Sequence, residues 1–294
     1  MQRTFIPGSE WLFYKFYCGA KTADVIIEQI FIPVTESLIN ENIIDKWYFI
    51  RYNDPKPHLR LRFHVNNSAQ LGSVIAIISE NINPYIENNL INSVIIDTYN
   101  REVERYGSNT MELSETLFCN DSVLIANVIS NLEGEEGEKY RWQFCIRSLD
   151  EFLNCFSFTT QQKQTLFEML SHSFMSEFGD EKQMNRQISD KYRVDKLTVE
   201  AVLDRSKDEE SEILQLFNLF PTYRTSISSI AEIILQLNAE NKLEVSLSNL
   251  LASYIHMHCN RLFRSKQRAH EMVIYTYLSN YYKSSIARNK SMEK

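Results

Sequence analysis

The sequence predicts an α+β protein: a ferredoxin-like (split βαβ) antiparallel sheet in the N-terminal third, followed by a mainly helical C-terminal part. Three observations carry this reading. Short aromatic or alternating segments punctuate the first hundred residues, with stretches of helical spacing between them. Their order is strand–helix–strand–strand–helix–strand, the split βαβ pattern. From about Met111 onwards the apolar residues recur at helical spacing.

The elements follow in order. Trp11–Cys18 (WLFYKFYC) is aromatic-rich and strand-like, and Gly19 breaks it; Thr22 to about Ile39 has helical spacing, with Pro33 as a kink or early stop. Lys46–Tyr52 (KWYFIRY) is a second strand. Asn53-Asp54-Pro55-Lys56-Pro57 has turn chemistry, and His58–Val65 (HLRLRFHV) alternates as a third strand in a hairpin with the second. Asn66-Asn67-Ser68 supplies an N-cap for a helix to about Asn89, with Pro84 near its end, and Ser93–Asn100 is a fourth strand. Period two places Leu59, Leu61, Phe63 and Val65 on one face of the central third strand, and His58, Arg60, Arg62 and His64 on the other. That second face is expected to be uncovered. Helices are expected over Glu112–Asn131, Lys139–Asn154, Thr160–Phe178, Asp180–Ser206, Ser226–Asn238, Val245–Phe263 and Gln267–Tyr282. Arg101–Gly107 bridges a sheet subdomain, 1–107, and a helical subdomain, 108–294, and a cleft is expected near residue 105.

Composition bounds the function. With 294 residues, 44% of them hydrophobic and only 7 Gly and 6 Pro, the chain can bury a large core and is neither a small disulfide scaffold nor disordered. The formal net charge of −7 argues against a broad polyanion surface, so no direct nucleic-acid binding is expected, while leaving room for a local basic pocket. Five cysteines, an odd number without a CxxC pair, suggest neither a disulfide framework nor a zinc cluster. No signal peptide and no apolar stretch of about 18 residues occur, so a cytoplasmic location without a membrane span is expected. GEEGE at Gly134–Glu138 reads as a loop tip. GxGxxG, GxxxxGK[ST], HExxH and GxSxG are all missing, which removes the dinucleotide, P-loop, zincin and hydrolase-elbow readings.

Three constellations remain. Arg60 and Arg62 share one strand face and could grip a carboxylate by paired hydrogen bonds, although an isolated RxR is more often an exposed face salted by acidic neighbours. Tyr99-Asn100-Arg101-Glu102-Val103-Glu104-Arg105-Tyr106-Gly107 alone reads as an ion-pair ladder; if helical, it brings Glu102 and Arg105 to one side, with Gly107 allowing a tight turn. In His256-Met257-His258-Cys259-Asn260-Arg261 the i, i+2 spacing puts the two imidazoles on different helix faces, so a metal pair is not expected. One should face the core and the other solvent, and whichever meets the cleft is a candidate acid or base. From residue types alone, the reading is a basic pocket beside a histidine, binding something with carboxylates.

Together, KWYFIRYNDPKPHLRLRF at Lys46–Phe63, YNREVERYG at Tyr99–Gly107 and IHMHCNRLF at Ile255–Phe263 resemble the C-terminal elimination domain of class I lantibiotic dehydratases, the thiopeptide-type bacteriocin biosynthesis domain. The resemblance spans nearly the whole chain. It implies that both subdomains form one elimination domain, which expels glutamate from glutamylated Ser or Thr of a ribosomal precursor peptide to leave dehydroalanine or dehydrobutyrine. The length leaves no room for the glutamylation domain, so a separate tRNA-dependent glutamylation protein and the glutamylated precursor peptide are the expected partners, with a homodimer by analogy. The resemblance implies that Arg60, Arg62, Glu102, Arg105 and His256 are catalytic, with His258 an alternative to His256. His58, Arg101, His258 and Arg261 are the substrate-binding candidates, and no metal or cofactor is required. Ser108 departs from the family, which often has a second glycine there. Two rivals share the fold: a pyridine synthase of a thiopeptide pathway, joining two dehydroalanines in a [4+2] cyclisation, and a non-catalytic precursor-binding subunit.

Overall fold

The computed structural model describes residues 1–132, 136–177 and 181–292. After a short strand β1 (Thr4–Phe5), the strands β2 (Trp11–Cys18), β3 (Ile44–Tyr52), β4 (His58–Val65) and β5 (Ile91–Asp97) form an antiparallel sheet in the order β3-β4-β2-β5. HLRLRFHV is thus a central strand, and the topology is the expected split βαβ. The anticipated fourth strand divides. The Asp97 carboxylate takes an ion pair from Lys15 and accepts the Thr98 N–H at 2.7 Å, bending the chain. Beyond the bend, β6 (Tyr99–Asn100) leaves the sheet and pairs with β1.

The segment after β2 is helical from Ala20 to Asn40: α1 (Ala20–Ile26), a π-helical turn at Ile27–Phe31, and α2 (Ile32–Asn40). Pro33 therefore does not stop the helix; the widened turn just before it absorbs the residue that cannot donate to the preceding turn. Asn67 accepts the Ala69 N–H, as its capping position requires, and a 3₁₀ turn leads into α3 (Leu71–Glu87). The remaining helices are α4 (Val103–Tyr106), α5 (Met111–Ser130), α6 (Glu136–Cys155), α7 (Thr160–Glu177), α8 (Glu181–Leu203), α9 (Leu214–Phe217), α10 (Phe220–Ala239), α11 (Leu247–Leu262) and α12 (Gln267–Met292). Of the expected loop tip, Gly134 and Glu135 lie outside the described residues and Glu136 opens α6; Phe178 and Asp180, expected helix ends, also lie outside them. Among the described residues no helix is long and apolar enough to cross a membrane.

The chain forms two compact units, Met1–Asn131 with Glu240–Ser265, and Leu132–Ala239 with Lys266–Lys294. The boundary expected at 107/108 falls inside the first unit, because α5 and α11 pack on strand β3. In this unit Leu59, Leu61, Phe63 and Val65 are fully buried, together with Leu12, Phe16 and Phe49 on the same face and Ile26, Phe31, Val74 and Ile78 of the helices. The second unit is a helical bundle with α7 along α12. Its core includes stacked Phe144 and Phe220, and a Glu151 carboxylate fully buried among Arg147, Arg205 and Arg224.

As the edge strand of the sheet, β3 carries backbone groups that need partners. Side chains of α5 and α11 supply them. The Phe49 N–H donates to Ser122 Oγ at 3.2 Å and Arg261 Nε donates to the Phe49 carbonyl at 2.9 Å. The Asn260 amide both accepts from the Arg51 N–H and donates to the Arg51 carbonyl, each at 2.8 Å. These bonds fix α11, and the histidine it carries, against the sheet.

Candidate active site

Strand pairing decides which side chains accompany the two arginines. Arg62 stands between Phe13 and Tyr48, and Arg60 between Lys15 and Ile50, all on one sheet face. Contrary to the sequence expectation, this face is not uncovered. Tyr99 of β6 lies over Trp11 with ring centroids 5.3 Å apart, and Phe118 of α5 lies 5.4 Å from Tyr48, because the β1–β6 ribbon and α5 fold across the aromatic half of the face. Arg62 is consequently only 7% exposed, and its guanidinium is enclosed by three rings, at 4.2 Å from Phe13, 4.9 Å from Tyr99 and 5.2 Å from Tyr48. Its Nε and Nη1 are buried with no hydrogen-bond partner. Orphaned charged donors of this kind are costly and rare, and they mark a position where an anion would be satisfied.

Arg60 is oriented differently. Its guanidinium stacks 3.4 Å above the Tyr52 ring, and its Nε donates to His58 Nε2 at 3.1 Å, while His58 Nδ1 meets the Lys56 carbonyl at 2.9 Å. His58 is thereby fixed as the tautomer protonated on Nδ1. Burial, with Arg60 next to it, holds the imidazole below its ordinary pKa, so it stays neutral and can accept. Burial and the neighbouring Arg62 likewise lower the Arg60 guanidinium, which nevertheless remains charged.

Both arginines line a cavity of about 150 Å³ in the first unit, with Glu102, Arg105, His256 and Arg261 also in its wall. The α4 turn brings Glu102 and Arg105 to one side as its spacing predicts, Oε2 and Nη1 3.7 Å apart, and Arg105 Nε donates to Ser253 Oγ of α11 at 3.2 Å. Gly107 closes the turn at φ +75°, a conformation L-residues resist. Ser108, the departure from the family pattern, ties the turn down: its N–H donates to Glu244 Oε2 at 2.6 Å and its hydroxyl bonds the other carboxylate oxygen. Burial pushes the Tyr106 hydroxyl up to about 12 and holds Tyr48 and Tyr99 higher still, so the phenols in the wall are neutral. Arg60, Arg62 and Arg105 face one exposed carboxylate, and neither Arg60 nor Arg62 has an ion-pair partner among the described residues. The cavity therefore favours a ligand with negative charge.

Three candidates lie elsewhere. His58 is not in the cavity wall and acts on Arg60. Arg101 is buried in a two-pronged ion pair with Glu115, Nε to Oε1 2.7 Å and Nη2 to Oε2 2.6 Å. His258, the alternative imidazole, is buried against Asp121 with Nδ1 2.7 Å from Oδ1, and the other Asp121 oxygen accepts from Arg261 Nη1 at 2.9 Å. Burial by itself would raise the Asp121 carboxyl, but His258 and Arg261 override it and hold the acid below its usual range. Of the two imidazoles, His256 alone meets the cavity. Sequence reasoning missed the aromatic wall of Tyr48, Tyr52, Tyr99 and Phe118; the first two alternate along KWYFIRY opposite the RxR strand, a signal that a hairpin register would have exposed.

Residues 11–282 match the family model for the lantibiotic biosynthesis dehydratase C-terminal region. The chain belongs to this family. It is 28% identical over 278 residues to the subtilin biosynthesis protein SpaB of Bacillus subtilis, covering 92% of this chain and 25% of SpaB. It is 26% identical over 279 residues to the nisin biosynthesis protein NisB of Lactococcus lactis subsp. lactis, covering 94% and 26%. The chain thus spans about a quarter of the curated relatives it matches. Among solved structures, the tRNA-dependent lantibiotic dehydratase MibB from Microbispora sp. 107891 superposes with a TM-score of 0.74 at 18% identity, over 96% of this chain and 29% of that one. The pyridine synthase TbtD from thiomuracin biosynthesis superposes at 0.67 and 12% identity, over 95% and 99%. At these identities the structural matches establish the shared family fold, on which Arg60, Arg62, Glu102, Arg105 and His256 converge.

Proposed function

We propose that this site catalyses β-elimination of glutamate from a glutamylated Ser or Thr of a precursor peptide, the ester being formed by an activity outside these 294 residues. The observation that carries the reading is the convergence of Arg60, Arg62, Arg105 and His256 on a cavity with Glu102 as the carboxylate in its wall, while the two further arginines there, Arg51 and Arg261, are paired with Asp24 and Asp121. His256 takes the Cα proton of the esterified residue; the C–H electron pair becomes the Cα=Cβ bond, and the Cβ–O bond breaks with its electrons going to the departing carboxylate. Negative charge grows on the peptide carbonyl and on the leaving group, where fixed cations are most effective. Arg62, at the buried end, and Arg60 hold the glutamyl adduct through its carboxylate and ester oxygens. Arg105, nearer the mouth and aligned by Glu102, stabilises the enolate or the leaving carboxylate.

The test is to incubate the protein with a synthetic glutamylated peptide and, separately, with a multiply dehydrated thiazole peptide, reading free glutamate and product mass. Release of one glutamate per dehydro residue formed is expected. A cyclised product from the second peptide with no glutamate from the first would assign the pyridine-synthase chemistry of TbtD instead, and unchanged masses with peptide binding would assign a precursor-binding subunit.

A further inference from the structure

The orphaned donors of Arg62 raise a question that the elimination reading leaves open: what keeps a guanidinium aimed when no hydrogen bond fixes its Nε or Nη1? A long side chain held only by packing has several rotamers, and a positional error of about 1 Å can cost on the order of 10²-fold in rate. The three rings around Arg62 restrain it by packing, and they are not equivalent. Phe13 is anchored as a residue of the central strand β2. Tyr99 sits in the two-residue strand β6, outside the main sheet, so its ring needs another anchor.

That anchor is a buried polar chain. The Tyr99 hydroxyl donates to Glu115 Oε1 at 2.8 Å, and Glu115, 1% exposed, is held by both arms of Arg101. Arg101 Nη1 in turn donates to the Gln2 carbonyl at 3.0 Å, and its guanidinium lies 4.9 Å from the Phe5 ring, which stacks on Tyr99. The Tyr48 ring meets the Tyr99 ring edge-on, with centroids 6.4 Å apart, so the second ring packs against the same anchored residue. Tyr99, Glu115 and Arg101 are each buried and hydrogen-bonded, the condition under which a polar network specifies one geometry.

We infer that Tyr99, locked through Glu115 and Arg101, is a positioning residue that aims the Arg62 guanidinium into the cavity. Arg101 acts through this chain and does not touch the substrate, so YNREVERYG carries two functions: Glu102 and Arg105 line the cavity with charge, and Tyr99, itself in the wall, is held by Arg101 and Glu115 to set the aim of an arginine on another strand. The inference rests on the elimination reading for the meaning of that aim, and its test is separable from it.

The experiment uses the full chain and follows the Arg62 side-chain Nε–H resonance by NMR, assigned by its loss in Arg62→Lys, beside kcat and KM for glutamate release. In the wild-type protein the Nε–H is expected as a single resonance displaced by ring currents. Tyr99→Phe keeps the ring and loses the hydroxyl bond, and is expected to retain the displaced resonance with kcat/KM reduced about fivefold. Tyr99→Leu removes the ring and should return the resonance towards that of a free arginine, with kcat/KM reduced about 10²-fold. Glu115→Gln, which keeps the volume, should broaden or split the resonance at an unchanged overall fold. An Arg62 resonance and KM unaffected by Tyr99→Leu, in a variant whose remaining spectrum is wild-type, would overturn the positioning role. Wild-type protein that releases no glutamate yet shows the ring-shifted resonance, lost in Tyr99→Leu, would sink the elimination reading and leave the aromatic restraint standing.

Discussion

Buried arginines in the first unit meet opposite fates. Arg261 and Arg101 are each neutralised by an acid from α5, Asp121 and Glu115, whereas Arg62 has only aromatic faces and two donors without a partner. The sequence could name all three arginines, but not distinguish them, because the neutralising acids lie far along the chain and carry no motif. The same holds for His256 and His258: helical phase separates their faces, but only packing shows which face meets the cavity. Asp121 is the acid that neutralises the buried Arg261. Its carboxyl is held below the ordinary range in the folded protein, so its contribution is fully present above its unfolded pKa of about 4 and is lost as pH falls through the folded value. Asp121→Asn leaves Arg261 buried without its counter-charge and should destabilise the protein by about 3–5 kcal/mol at neutral pH. Urea unfolding of both proteins from pH 7 to pH 3 should show the gap narrowing below about pH 4; a gap constant with pH would contradict the assignment.

At the scale of elements, the hairpin of β3 and β4 does most to build the site, because antiparallel register turns an alternating sequence into two chemically distinct faces. This was legible: alternation is local, and Trp11–Cys18 and His58–Val65 form strands with the expected ends. The two-residue strands β1 and β6 were not legible, since so short a pairing has no periodicity and depends on Asp97 bending the chain. Nor were the side-chain bonds from Ser122, Asn260 and Arg261 that complete the edge of β3. The turn after α4 was foreseen through Gly107. A Cβ at Gly107 would lie 3.0 Å from Thr110 Oγ1 and 3.2 Å from Asn109 Oδ1, on a backbone of φ +75°. Gly107→Ala should therefore cost roughly 1–3 kcal/mol of stability by urea unfolding. It should also slow glutamate release more than Ser108→Gly, which keeps the backbone free; a neutral Gly107→Ala would show that the turn is not constrained.

For the whole molecule, the cavity is assembled from hairpin residues 48–62, the 99–118 segment and helix residues 256–261, three stretches with nothing between them in sequence to announce their meeting. Periodicity gave the sheet and most helices, and stopped at a basic pocket beside a histidine; the joint presence of three motifs in register carried the family, and the family match bears that out. The division into two units was not readable, because the second part of the first unit, Glu240–Ser265, carries a helix, α11, that is set apart by its packing on α5, β3 and α4. The central claim is that groups from these distant stretches act as one device, and groups acting as a unit lose their effects non-additively when removed. The decisive measurement is the single-turnover rate of glutamate release from a glutamylated peptide for Arg62→Ala, His256→Ala and the double variant. Each single substitution should cost at least about 10²-fold and the double little more than the worse single; undiminished release by either single variant, or losses that simply multiply, would contradict the account.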